Sequence, residues 1–163
     1  MQTLARCGVI LAAAVLFGAC GPPPHDRSED IKPEAPSGTF AGNPWTMTHA
    51  TVSMSDSKLS VRLFSEPVAD CAQFPPEGST AGYLLWTMPA ELGKRSLRLS
   101  LTDFSSPNNQ TITFVTPPSS NNISVDGIIN VTELTNTSVT FGFLAKAGEG
   151  YDVNGTITTK ICP

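Results

Sequence analysis

The sequence predicts an all-β fold, either an antiparallel β-sandwich or a flattened β-barrel, built from about nine or ten short strands. Apolar and polar residues alternate along residues 59–63 and 97–101, which places the apolar side chains of each segment on one face of a sheet. Stretches rich in Asn, Asp, Gly and Ser separate such segments, and short links of this kind join antiparallel neighbours. These two observations together favour hairpins over parallel strands.

Each remaining strand is expected from the same alternation or from a run of β-forming residues between turn signals. Asp126-Gly127 is the strongest hairpin signal in the chain, because such pairs favour the two-residue turns of β-hairpins. Helix is expected only as a single turn around residues 68–73, inside the longest segment without a strand pattern. The further strands are expected at residues 40–42, 45–54, 83–88, 112–114, 123–125, 128–134, 139–143 and 153–161.

Composition narrows the class of protein. The chain has 163 residues, of which 40% are hydrophobic and only 15% charged, so it is long enough for one domain with its own core. Its 10 basic residues against 14 acidic ones give a net charge of -4. A chain with this balance lacks the basic surface that neutralises a phosphate backbone, and nucleic-acid binding is not expected.

Residues 1–19 have the organisation of an export signal. Arg6 precedes an apolar run over residues 8–19, and this run is too short to span a bilayer stably. An ordinary signal peptidase requires small side chains one and three residues before its cut, yet Phe17 stands three positions before residue 20. An ordinary secreted protein would have to be cut elsewhere, for instance after Ala14.

The end of this run, Leu16-Phe17-Gly18-Ala19-Cys20, resembles the lipobox of bacterial lipoproteins, although the commonest form has Leu where Phe17 stands. The resemblance implies that the Cys20 thiol carries diacylglycerol, with palmitate-type chains, and that Cys20 becomes the mature N-terminus. The protein would then be anchored to a membrane of the bacterial cell envelope by lipid without crossing it. Gly21 in place of the Asp that marks inner-membrane retention favours the outer membrane.

Residues 20–37 predict a lipidated cysteine followed by a Pro-rich tether. The segment contains three consecutive prolines from Pro22 and almost no large apolar side chain, so it is expected to stay extended and solvated, His25 included. The all-β domain is expected to occupy residues 38–163.

The four cysteines divide into three groups. Cys7 is removed with the signal peptide and Cys20 is the proposed lipid site, which leaves Cys71 and Cys162. In an exported protein such a pair indicates one disulfide. Free thiols, or a metal or redox role, are the alternatives, although zinc would need at least two further ligands.

The domain contains a single histidine, His49, in the strand expected over residues 45–54. It could be a base or ligand at the wall of a pocket, or a strand residue packed against its neighbours. Trp45, on the same side of that strand, could stack on a ligand or belong to the core. Trp45 and His49 are therefore the candidate ligand-binding residues, with the core as the alternative for Trp86 and Tyr83 as well.

The remaining residues give little indication of a catalytic site. Glu66, Asp70 and Glu77 lie in one loop over residues 65–81 and could act as a pair of carboxylates, or could be ordinary solvated charges. No nucleophile elbow or phosphate-binding glycine motif is present in the sequence. No catalytic residue, metal site or cofactor is therefore expected.

The two ends of the domain look like those of many small bacterial envelope lipoproteins. The likeness rests on the opening stretch Gly38-Thr-Phe-Ala-Gly-Asn-Pro-Trp45 and on the closing strands over residues 139–145 and 153–162. In that group an opening hairpin and two final strands bracket a β domain. The likeness implies a fold and a location, and it carries over no catalytic residue.

Three functional hypotheses follow. The first is a lipid-anchored, non-enzymatic binding or structural module that contacts a protein or a glycan in the envelope. The second is a β-barrel that binds a small apolar ligand. The third is a hydrolase that uses His49 or the carboxylates of residues 65–81.

Overall fold

The all-β class predicted from the sequence is confirmed. The computed structural model describes residues 27–104, 106, 109–118 and 120–163, and in this part of the chain it contains eleven β-strands, one short 3-10 turn and no α-helix. The 3-10 turn covers Arg27–Asp30. The strands are β1 (Ser37–Phe40), β2 (Asn43–Thr46), β3 (His49–Ser55), β4 (Lys58–Phe64), β5 (Tyr83–Pro89), β6 (Gly93–Ser96), β7 (Ile112–Thr116), β8 (Ser120–Ser124), β9 (Asp126–Leu134), β10 (Ser138–Lys146) and β11 (Asp152–Cys162).

Nine strands form one curled sheet in the order β6-β9-β10-β11-β3-β4-β5-β7-β8, and β1 and β2 extend it beside β11. The paired strands are antiparallel except β3 and β11, which are parallel, so the sheet is mixed. β8 is the last strand of this order and β9 is the second, so they lie near opposite ends of the sheet. Only Val125 separates them in the chain. The sheet must therefore curl until its two sides approach, which gives a half-barrel.

Two contacts hold the approaching sides together. Arg98, just after β6, exchanges two backbone hydrogen bonds with Gln110, just before β7, at N···O distances of 2.7 and 2.9 Å. At the junction of β8 and β9 the Ser124 hydroxyl donates to the carbonyl of Lys146 at 2.8 Å and to that of Asp126 at 3.1 Å. Because Ser124 is fully buried, these bonds satisfy polar groups that water cannot reach.

The concave side of the sheet holds one apolar core. Alternation along β4 buries Leu59, Val61 and Leu63, as the sequence predicts. Trp86 of β5 crosses the interior and meets the rings of Phe141 and Phe143 of β10, with ring centroids 5.7 and 5.3 Å apart. Each such large side chain contributes about 1.5–3 kcal/mol when it leaves water, so the opposing faces stabilise the curl.

The hairpin between β3 and β4 turns in two residues. Ser55 pairs with Lys58, and the intervening Asp56 and Ser57 both have positive φ, at 50° and 58°. Two consecutive residues with positive φ define the turn type whose twist matches that of paired strands. Residues other than Gly and Asn adopt this backbone conformation at a cost in free energy, so Ser57 is locally strained.

The chain before β1 lies against the domain. In this strap, residues 27–36, the backbone N–H of Lys32 donates to Asn154 Oδ1 at 2.9 Å, while Asn154 Nδ2 donates to the carbonyl of Asp30 at 2.8 Å. The backbone N–H of Thr156 donates to the carbonyl of Glu34, also at 2.8 Å. The expectation of a solvated tether is therefore wrong for residues 27–36, because this part of the segment 20–37 is bound to β11.

Several local predictions are wrong. No helical turn occurs at residues 68–73, where the described chain makes only bends and a turn. The segment 97–101 is not a half-buried strand: Leu97 is buried, but the chain leaves the sheet after Arg98 and Leu101 is 76% exposed. The strand expected over residues 45–54 is interrupted at Met47 and Thr48, between β2 and β3.

Asp126-Gly127 does not form a hairpin turn either; it opens β9, which pairs with β6 and β10 and not with β8. The glycine is needed for another reason. Gly127 has φ 148°, and a Cβ at this position would lie 1.9 Å from the carbonyl oxygen of Leu144. A residue without a side chain lets β9 approach β10 closely where Gly127 pairs with Ala145.

Candidate functional site

The disulfide predicted between Cys71 and Cys162 is confirmed, with Cα atoms 5.7 Å apart. It joins the last strand to the long segment between β4 and β5, across a sequence separation of 91 residues. That segment has no strand or helix of its own. The crosslink therefore holds a loop that the sheet alone does not position.

An ion pair lies beside the disulfide. Lys160 of β11 donates to the carboxylate of Asp70, next to Cys71 in the chain. This hydrogen bond and the charge of Lys160 lower the pKa of the Asp70 carboxyl from its ordinary value, and the charge of His49 acts in the same direction. Both partners are well exposed, so the pair contributes little to stability by itself.

Trp45, a candidate ligand-binding residue, belongs to the core. Its side chain is only 5% exposed, and its indole N–H donates to the carbonyl of Gly82 at 2.9 Å. Its ring packs against Phe40, with centroids 6.3 Å apart. A ring that is enclosed on its faces and satisfied at its nitrogen offers nothing to a ligand outside, so the core interpretation holds for Trp45.

His49, the second candidate, opens β3 opposite Phe64 and is half-buried. Of the carboxylates of residues 65–81, Asp70 is near enough for the charge of His49 to lower its pKa. Glu66 accepts a hydrogen bond from the hydroxyl of Ser79, while Asp70 is bound to Lys160. Within the described ranges, no group of three or more His, Cys, Asp or Glu side chains is placed to hold a metal ion.

The interior offers no easy site for a small apolar ligand. The core aromatic rings of the two sides contact one another at the centre, as in Phe40 against Phe114 at a centroid distance of 5.4 Å. Phe114, Phe141 and Phe143 are completely buried. A ligand inside the half-barrel would have to displace these rings.

The strap and the sheet enclose a polar groove of about 440 Å³, here called the strap groove. Lys146 and Asp152 form an ion pair in it at 3.0 Å, and Asn154 supplies the amide that binds the strap. Its lining mixes charges of both signs with hydroxyl groups. The residues that line it are Arg27, Asp30, Lys32, Ser37, Gly38, Thr39, Leu144, Lys146, Asp152 and Asn154.

A second groove of about 300 Å³ lies beside β6, and we call it the basic groove. Three cationic side chains line it, and none of its described lining residues is acidic. Arg95 is also held by Glu91, whose carboxylate lies 3.4 Å from Nη2 at the rim. The lining residues are Pro89, Lys94, Arg95, Ser96, Arg98, Asn109 and Gln110.

Sequence reasoning missed the basic groove for a structural reason. Lys94, Arg95 and Arg98 are close in the chain, but Asn109 and Gln110 join them only because the sheet curls and bonds Arg98 to Gln110. The available signal was the concentration of three cations within residues 94–98 of a chain with net charge -4.

Cys20, the predicted lipid site, lies outside the described residues. No helix in the described part of the chain is long and apolar enough to cross a membrane. No protein-family model, curated protein or solved structure matches the chain. The function is therefore argued from its own residues.

Proposed function

We propose that this chain is a lipid-anchored protein of the bacterial envelope, whose β domain is a non-enzymatic module that binds a protein or a glycan. The observation that carries the proposal is the lipobox-like sequence ending at Cys20, which is followed by a Pro-rich segment. The disulfide of the folded domain supports it, because such bonds persist in oxidising compartments outside the cytosol. Because Cys71 and Cys162 are bonded to each other, neither thiol is available for acylation, and Cys20 is the proposed lipid site.

Lipidation at Cys20 would provide a stable anchor. Each buried CH₂ adds about 0.8 kcal/mol, so two or three acyl chains hold a protein far more firmly than one. Residues 21–26 separate Cys20 from the strap, and six extended residues span at most about 20 Å. The domain would therefore sit close to the membrane surface. Gly21 supports the outer membrane as its location.

The strap groove supports a polar partner for the module. Its ion pair, amide and hydroxyl groups are suited to polar segments of a protein or to the hydroxyl groups of a glycan. The aromatic packing of the interior gives no comparable support to an apolar ligand. The separate partners found for Glu66 and Asp70 give none to a hydrolase.

Metabolic labelling with a palmitate analogue tests the anchor. We expect the wild-type chain to be labelled and recovered with membranes, and Cys20→Ser to abolish labelling. Cys7→Ser is the matched control, because it removes a thiol from the same N-terminal segment and should leave labelling unchanged. Labelling that persists in Cys20→Ser, or a released and unacylated mature chain, would contradict the proposal.

The location has its own test. We expect the labelled protein in the outer-membrane fraction of an enteric-type host, and Gly21→Asp should move it to the inner-membrane fraction. If both variants fractionate with the inner membrane, the outer-membrane assignment is wrong while the anchor itself stands.

A further inference from the structure

The basic groove concentrates positive charge in an acidic chain. Lys94, Arg95 and Arg98 come from β6 and the residue pair that follows it, and they line one concavity together with amide groups of Asn109 and Gln110. Guanidinium and ammonium N–H groups are donors that suit phosphate oxygens. The groove is therefore chemically matched to an anionic phosphate group.

Exposed apolar side chains lie in the chain segments before and after β6, the strand that lines this groove. Leu101 and Phe104, in the loop after β6, are 76% and 71% exposed, and Leu92, in the turn before β6, is 62% exposed. Phe104 lines a neighbouring concavity that shares Pro89, Asn109 and Gln110 with the basic groove, so the surface of Phe104 is continuous with the groove.

The loop that carries Leu101 and Phe104 is held in place by Asn109. Its Oδ1 accepts the backbone N–H of Ser100 at 2.7 Å, and its Nδ2 donates to the carbonyls of Asp103 and Phe104 at 3.0 and 3.1 Å. The same side chain lines the basic groove. These hydrogen bonds therefore hold Leu101 and Phe104 in exposed positions.

The strap begins on this side of the domain. Arg27, the first residue that the structure describes, forms an ion pair with Asp126. The neighbouring Gly127 accepts a hydrogen bond from the backbone of Leu97 at 2.9 Å, and Leu97 is followed directly by Arg98 of the groove. A chain leaving Arg27 toward a membrane thus starts near the basic groove.

We propose that the basic groove and the adjoining Leu92, Leu101 and Phe104 side chains form a second membrane contact, which binds the anionic phosphate headgroups of a bilayer. The orientation of this contact rests on the proposed lipid anchor. Cations beside exposed apolar side chains match the two layers of a membrane interface, because the cations meet the headgroups while the apolar groups enter the acyl boundary. A polar protein surface would match only the charged part, which is why we assign a lipid occupant.

Hydrogen exchange of the mature full-length protein on vesicles tests this contact. The vesicles contain phosphatidylcholine alone or with about 30% phosphatidylglycerol, the anionic lipid. We expect backbone amides of residues 98–104 to exchange about tenfold more slowly on the anionic vesicles. The double variant Lys94→Gln/Arg98→Gln should lose this dependence on lipid charge, and Phe104→Ser should weaken the protection on anionic vesicles.

The matched control is Arg62→Gln/Lys160→Gln, which removes one arginine and one lysine elsewhere in the domain and should keep the full protection. Equal exchange on both vesicles, or protection that survives Lys94→Gln/Arg98→Gln, would overturn the second contact. The intact mass of the same sample reports acylation independently. A chain without acyl chains would refute the anchor, and sedimentation with anionic vesicles only would still support the groove.

Discussion

Gly155 lies directly beneath Pro36, so that a Cβ on Gly155 would come within 2.5 Å of the Pro36 Cα and 2.6 Å of its nitrogen. The strap thus runs over β11 at a position where only a hydrogen separates the two backbones. The same strap passes over β10 at Gly142, where a Cβ would lie 2.6 Å from the Ile31 Cγ2. Two glycines on adjacent strands therefore form the seat of the strap.

Replacement of Gly155 should release the strap. Gly155→Ala meets backbone atoms that cannot rotate away, and we expect the free energy of unfolding to fall by about 2–3 kcal/mol. Gly142→Ala is the matched control, because it meets the end of a side chain that can move, and its loss should be smaller. Urea denaturation measures both, and limited proteolysis should cut residues 27–36 faster in Gly155→Ala. Equal losses in the two variants would contradict a backbone clash.

Relief of the strained turn should stabilise the domain. Ser57 has φ 58°, a conformation that glycine adopts without steric strain. Ser57→Gly should therefore raise the free energy of unfolding by about 0.5–1 kcal/mol. Ser55→Gly, in the adjoining strand, should lower it, because glycine there adds only chain entropy to the unfolded state. A destabilised Ser57→Gly variant would refute the strain. Urea midpoints compare the variants.

Loss of the disulfide should weaken the domain substantially. The bond closes a loop with a sequence separation of 91 residues, and such crosslinks contribute about 2–5 kcal/mol, mainly by restricting the unfolded chain. We expect Cys71→Ser/Cys162→Ser to lower the free energy of unfolding by that amount. A reducing agent should have the same effect on the wild-type protein and none on the variant; an effect on the variant would indicate another cause.

The pKa of the Asp70 carboxyl should depend on its ion pair with Lys160. The hydrogen bond and charge of Lys160 lower the pKa of its carboxyl, so any stability from this pair is present above the unfolded-state pKa and is lost as the pH falls through the folded one. Because the carboxyl is exposed, the effect is best measured by NMR titration of Asp70 itself. Lys160→Gln should raise the pKa toward its ordinary value, while Lys146→Gln should leave it unchanged. An unaltered pKa in Lys160→Gln would refute the assignment.

Strands with one buried face could be predicted from the sequence. Leu59, Val61 and Leu63 alternate with polar residues because one side of β4 faces the core and the other does not. The disulfide could also be predicted, since two cysteines remained once the N-terminal pair had been given other roles. These predictions depended on local pattern or on simple elimination.

Features that depend on the closure of the sheet could not be predicted. The alternation at residues 97–101 continues past the point where the chain leaves the sheet at Arg98, so a strand pattern ends in an exposed Leu101. Asp126-Gly127 has turn chemistry, but the glycine serves a close strand approach to Leu144. The basic groove likewise requires Gln110 to meet Arg98, a pairing that no local signal reports.

The position of β11 sets the order in which the molecule can assemble. The final strand lies in the middle of the sheet, between β10 and β3, and it also pairs with β1. β10 and β3 therefore cannot be joined into one sheet until residues 152–162 have been synthesised. Such long-range pairing makes folding slow, and the apolar interior of the half-barrel stays open to solvent until β11 inserts between β10 and β3.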